Sequence, residues 1–99
     1  LPYVPTECEH NGHMFYLKLE NLNERTRFID YMKRNGIYCV FHYVPLHSAP
    51  AGRKYGRFAG EDIYTTKESE RLVRIPLYYG MMKEDRESVV YRIKEFFSQ

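Results

Sequence analysis

Along "HMFYLKL", residues 13–19, the chain alternates: His13, Phe15, Leu17 and Leu19 fall on one side, Met14, Tyr16 and Lys18 on the other. A period of two predicts a strand with one buried face, because successive side chains leave a strand in opposite directions. The period then lengthens. In "NERTRFIDYMKRNG" the apolar Phe28, Ile29 and Met32 make one stripe, Asn23 stands where an N-cap is wanted, and Gly36 stands just past the end. That combination predicts a helix. "IYCVFHY", 37–43, is rich in β-branched and aromatic residues and predicts a second strand.

Residues 42–60 break the regular pattern and are expected to be loop, with Pro45, Pro50, Gly52, Gly56 and Gly60 in them. Beyond them "TTKESERLV" offers a capping box, Thr65 with Glu68, and a short helix. "VRIPLY" predicts a third strand in which Pro76, lacking an N–H, demands either an edge position or the strand's end. Val89, Val90, Ile93, Phe96 and Phe97 recur at helical spacing and mark a terminal amphipathic helix with its stripe in the core. The order β-α-β-loop-α-β-α predicts an α+β fold, helices packed on a small sheet.

Composition narrows the function classes. Apolar residues are 43% of 99, enough for one modest core. A formal net charge of +2 gives no strong pull toward nucleic acid or membrane, and no apolar run nears the roughly 20 residues that span a bilayer. Two cysteines, Cys8 and Cys39, make no disulfide framework and favour a reducing cytoplasm. Pro2, Pro5 and Gly12 make residues 1–12 read as a linker into a domain over 13–99. Opening on "LPYVPTECEHNGHMF" without an initiator Met, the chain reads as a piece of something longer.

The candidate chemistry lies in "HYVPLHSAPAGRKYGRFAG", where His42 and His47 are separated by four residues that include Pro45. Cys8, His10, His13, Cys39, His42 and His47 are zinc-type ligands, but Cys8 and His10 are too closely spaced and no second pair has finger spacing, so a structural metal is not expected. "RKYGRFAG" has the basic and aromatic content of an RNA-binding octamer. Such an octamer must lie on a central strand to present its rings, whereas glycines and a proline put this one in a loop, so nucleic acid is not expected as a partner. Arg71 and Arg74 are expected to be solvated or to pair with Glu68 and Glu70.

"HMFYLKL", "FHYVPLH", "YTTKESERLVRIPLYY" and the terminal helix together resemble the C-terminal domain of the DegT/DnrJ/EryC1/StrS sugar aminotransferases, over essentially the whole chain. The resemblance implies the small C-terminal domain of the aspartate-aminotransferase (type I) fold: about three strands in a small antiparallel sheet packed by helices. It implies pyridoxal phosphate (PLP) held by a large N-terminal domain, a homodimer, and transfer of an amino group from glutamate to the C4 ketone of a dTDP-6-deoxyhexose, for bacterial surface polysaccharide. The H-Y-x-P-L-H segment would run toward the substrate cleft, carrying His42, Tyr43 and His47, with Pro45 holding it extended. Arg53 and Lys54 could meet sugar-nucleotide phosphate on chemical grounds. Lys18, Lys33, Lys54, Lys67, Lys83 and Lys94 lie outside the family's Schiff-base motif, so no catalytic or cofactor-binding residue is expected in this stretch, and it should not catalyse alone.

Overall fold

The computed structural model describes residues 1–99. Strand β1 (Phe15–Lys18) leads into helix α1 (Leu22–Arg34), strand β2 (Val40–Phe41), a 3₁₀ turn (Leu46–Ser48), helix α2 (Pro50–Tyr55), helix α3 (Thr65–Arg71), strand β3 (Leu72–Ile75) and helix α4 (Lys83–Phe97). The three strands form one sheet in the order β1-β3-β2. Both outer strands run antiparallel to β3, with Leu17 opposite Val73 and Val40 opposite Arg74. β1 and β2 are therefore parallel to each other, joined through α1, and β3 fills the gap between them from the far end of the chain. This is the expected α+β architecture with a small antiparallel sheet.

Helix α1 is bounded by strong local signals. Asn21, extended at φ −159°, is the N-cap, and its Oδ1 accepts the Glu24 N–H at 2.9 Å. Asn23 was the expected cap; the helix starts earlier because Asn21 already satisfies a free first-turn donor and Glu24 reaches back to accept the Glu20 N–H at 2.7 Å. At the other end Gly36, at φ +77°, donates to the Lys33 carbonyl while Ile37 donates to that of Met32. That is a Schellman ending, and its usual apolar contact is present, since both Met32 and Ile37 belong to the core.

The core lies between one face of the sheet and helices α1 and α4. Leu19, Phe28, Met32, Ile37, Cys39, Val73, Ile75 and Val89 are buried, with Leu17, Ile29, Ile93 and Phe96 packed around them. Phe96 meets Phe28 edge-on with centroids 5.2 Å apart, a favoured aromatic arrangement. Val90 and Phe97 are about half exposed, so the buried stripe of α4 is Val89, Ile93 and Phe96, narrower than the spacing predicts. Helix α4 starts at Met82 with no side-chain cap. Pro76 takes the strand-end alternative: β3 is the central strand, and it stops at Ile75.

Two further expectations fail. The Thr65–Glu68 capping box does not form. Tyr64 is the N-cap position, Asp62 Oδ1 accepts the Thr66 N–H at 3.2 Å, and Glu68 is drawn away by Lys18 and Arg71. Residues 42–60 are also not all loop. Pro50 supplies a preset φ at the first position of a six-residue helix. Gly52 belongs there for steric reasons: a Cβ on it would lie 1.6 Å from the Leu46 carbonyl oxygen. The absent side chain lets α2 fold back against the 3₁₀ turn.

Candidate functional site

β2 pairs over two residues only, and the chain leaves the sheet at His42 and Tyr43. Tyr43 sits at φ +69°, in the left-handed region that a bulky side chain rarely enters. That turn ends the strand before the predicted residue 43. The Tyr43 ring lies 5.4 Å from the His42 ring and under the Arg74 guanidinium at 5.5 Å. Of the two arginines expected to be solvated or paired, Arg71 pairs with Glu68 at 2.9 Å, while Arg74 makes no ion pair. The Nε of Arg74 and the Nδ1 of His42 are buried without partners.

Pro45 is extended at ψ 143° and hands the chain to the 3₁₀ turn that carries His47. His47 does not point freely outward. Its Nε2 is 2.9 Å from Asp62 Oδ2 and 3.3 Å from Thr66 Oγ1, and its ring packs on Phe58 at 4.5 Å between centroids. Asp62 in turn accepts from the Thr66 hydroxyl and backbone N–H. Those two bonds, and then His47, hold its carboxyl below the usual carboxylate range. A cleft of about 420 Å³ opens beside this cluster, lined by His47, Leu46, Gly52, Gly56, Arg57 and Phe58 among others.

The structure therefore divides the five candidate residues. His42 and Tyr43 adjoin at the end of β2, His47 joins a second cluster, and Arg53 and Lys54 stand exposed on α2 with the Lys54 ammonium over the Tyr55 ring at 5.0 Å. Arg57, just past α2, is the cation that lines the cleft beside His47. Asp62, Thr66 and Arg57 were not singled out from the sequence, and Arg74 only as a solvated or paired cation. Only Asp62 had a legible signal, as an acidic residue four positions ahead of a threonine at a helix start.

The other chemistries weighed from the sequence find no geometry. Cys39 is buried in the core, its thiol pushed up to about 11 by burial, Cys8 is exposed, and no three His, Cys, Asp or Glu side chains converge as metal ligands. The "RKYGRFAG" stretch runs from α2 into a loop while β3 holds the centre of the sheet. No helix is long and apolar enough to cross a membrane. Of the lysines, Lys18 is paired with Glu68 and the other five are exposed.

This arrangement superimposes on part of a known enzyme architecture. The aminotransferase TlmJ from Streptoalloteichus hindustanus matches with a TM-score of 0.83 at 18% identity, over 98% of this chain and 25% of that one, a likeness of fold. The model of the DegT/DnrJ/EryC1/StrS aminotransferase family matches residues 2–94, and the chain belongs to that family. Among curated relatives, the uncharacterized protein MJ1066 of Methanocaldococcus jannaschii is 30% identical over 103 residues, 99% of this chain and 26% of its own length. A pleiotropic regulatory protein of Geobacillus stearothermophilus is 24% identical over 98% of this chain and 26% of its own length. The chain thus spans about a quarter of the proteins it matches.

Proposed function

We propose that these 99 residues are the C-terminal small domain of a PLP-dependent sugar-nucleotide aminotransferase, entered through a linker over 1–12. The parent moves an amino group from glutamate to the C4 ketone of dTDP-4-dehydro-6-deoxyglucose. Within the family, the quoted segments resemble those of dTDP-4-amino-4,6-dideoxygalactose transaminase, and on that resemblance the proposed destination is surface polysaccharide of the enterobacterial common antigen type. The parent is a cytoplasmic homodimer, a compartment that suits its two free thiols.

The observation that carries the reading is the unequal finish of the molecule, in a chain whose family is established. The sheet and two helices have a core, whereas the segment from His42 to Tyr64 holds ring nitrogens, a cleft and uncovered apolar side chains, Leu46 at 85% and Tyr64 at 73% exposure. The radius of gyration is 15.8 Å, against about 13 Å for a compact domain of this length. Such a surface suits one wall of a cleft completed by the rest of a longer chain.

The residues here do not fit a PLP site. A Schiff-base lysine is desolvated so that it can lose its proton. Lys18 is instead held beside a carboxylate, and the other lysines face water. The cofactor belongs to residues outside this stretch. Here the contribution is to bind and orient sugar: His47 at the cleft, Tyr43 and His42 at the strand end, and Arg57 beside Arg53 and Lys54 as cations within reach of phosphate.

The test is the full-length protein with PLP, glutamate and dTDP-4-dehydro-6-deoxyglucose, followed by mass spectrometry for the 4-amino sugar and by detection of 2-oxoglutarate. His47→Ala should lower kcat/KM for the keto-sugar about 10- to 1,000-fold, with the glutamate half-reaction suffering less. Absence of amino-sugar product with any nucleotide-linked keto-sugar would sink the reading.

A further inference from the structure

The neighbours of His47 decide which of its nitrogens a ligand would meet. The carboxylate of Asp62, ionised at neutral pH, can only accept hydrogen bonds. Thr66 has one hydroxyl proton and gives it to Asp62 Oδ2, so the oxygen it turns to His47 is also an acceptor. Both oxygens beside Nε2 therefore call for an N–H there. The neutral ring carries its proton on Nε2, and Nδ1 keeps its lone pair. Nδ1 makes no hydrogen bond within the chain and is not among the buried unpartnered atoms, so it is not sealed from solvent. A ring flip would remove Nε2 from Asp62 and forfeit that contact.

We propose that Asp62 and Thr66 are positioning residues that lock His47 in the Nε2–H tautomer, so that its Nδ1 accepts a hydrogen bond from a sugar hydroxyl and rejects a carbonyl or phosphate oxygen at that point. The proposal rests on the sugar-nucleotide reading above and specifies what part of that substrate His47 meets. Asp62 touches no substrate; it acts through the ring it orients. The arrangement is the orienting half of a carboxylate–histidine pair, in which the acid chooses the tautomer and does not itself take the proton.

The test exploits an inversion. Asp62→Asn keeps the shape and can still accept the Thr66 N–H, but it can turn an NH₂ donor to Nε2 and so drive the ring to the Nδ1–H tautomer. Asp62→Ala leaves the ring free to adopt either. In the full-length protein labelled with ¹⁵N-histidine, long-range ¹⁵N–¹H correlation spectra should show His47 as Nε2–H in the wild type and Nδ1–H in Asp62→Asn. With the dTDP-keto-sugar, kcat/KM should fall about 10- to 100-fold in Asp62→Asn and less in Asp62→Ala. A purely structural Asp62 gives the opposite order, since Asn is the closer replacement. Nδ1–H in the wild type, or Asn milder than Ala, overturns the positioning role and leaves the sugar reading standing. Nε2–H in the wild type with unchanged keto-sugar kinetics in Asp62→Asn, Asp62→Ala and His47→Ala alike overturns the sugar reading of His47, and the proposal with it. The wild-type spectrum decides the tautomer whether or not a variant folds.

Discussion

The two halves of this molecule are held together in different ways. Leu19, Phe28, Met32, Val73 and Val89 are shut away between sheet and helices, where dispersion and the hydrophobic effect do most of the work. No residue from Val40 to Leu72 is buried. That arm keeps its shape through directional contacts: His47 on Asp62, Asp62 on Thr66, α2 pressed against the Leu46 carbonyl, Arg25 donating to the Ser69 carbonyl at 2.7 Å. Arg71 fastens the arm's far end to the sheet, its Nε donating to the Leu19 carbonyl at 2.7 Å. A packed half supplies rigidity, and a bonded half keeps polar atoms at the surface, the division that the proposed sugar-binding role calls for.

The contrast is broken most severely from the core side. Phe28 is fully buried and touches both Phe96 and Phe97. Phe28→Ala should cost about 3–5 kcal/mol, seen as loss of hydrogen-exchange protection in α1, β3 and α4 together. Gly52→Ala should damage only the arm. Its new methyl would collide with Leu46 and His47 backbone atoms, the turn would be pushed off α2 at about 1–3 kcal/mol, and the keto-sugar turnover proposed for the full-length protein should fall while α1 and α4 amides stay protected. Protection lost throughout the molecule would show that the two halves are one cooperative unit.

A gentler probe strengthens the core half alone. Met82 has the extended backbone of an N-cap, at φ −71° and ψ 153°, and no capping oxygen. Met82→Asp should protect α4 amides by about 1 kcal/mol and leave the arm's exchange unchanged. The smallest effect concerns the joint between the halves. Lys18 foremost, and then Arg71, hold the Glu68 carboxyl below its ordinary range. With a folded pKa depressed, the unfolded chain takes up the proton first as pH falls. Glu68 therefore adds stability above about pH 4.3 that is lost as pH drops through its folded value. Glu68→Gln should melt slightly lower than wild type at neutral pH, and the gap should close in acid.

What the linear pattern revealed was whatever local chemistry enforces. The stripe of Phe28 and Met32 and the glycine at 36 specify α1 because periodicity, capping and a left-handed ending all lie within a few residues of one another. The period-two run at 13–19 and the stripe of α4 were legible for the same reason, as was the family resemblance, which draws on the whole chain. The α1 cap was misplaced because Asn21 and Asn23 are the same residue type, and only the bonds that Asn21 and Glu24 make tell them apart. Helix α2 was hidden because its proline and glycines read as loop signals, and only the approach to Leu46 makes Gly52 a helical residue.

The rest belonged to tertiary structure. Nothing within "VRIPLY" says that β3 lies between two strands from the first half of the chain; that follows from which apolar faces can be buried together. His47 was legible as a candidate, but its partner lies 15 residues away, across a loop whose path depends on how α2 and α3 pack. Whether that imidazole offers a proton or a lone pair is set by Asp62 and Thr66, contacts the folded backbone makes and the order of residues does not. Sequence determined the elements and the kinds of side chain, because those depend on neighbours along the chain. Orientation of the candidate site waited for the fold, because hydrogen bonds join atoms that are neighbours only in space.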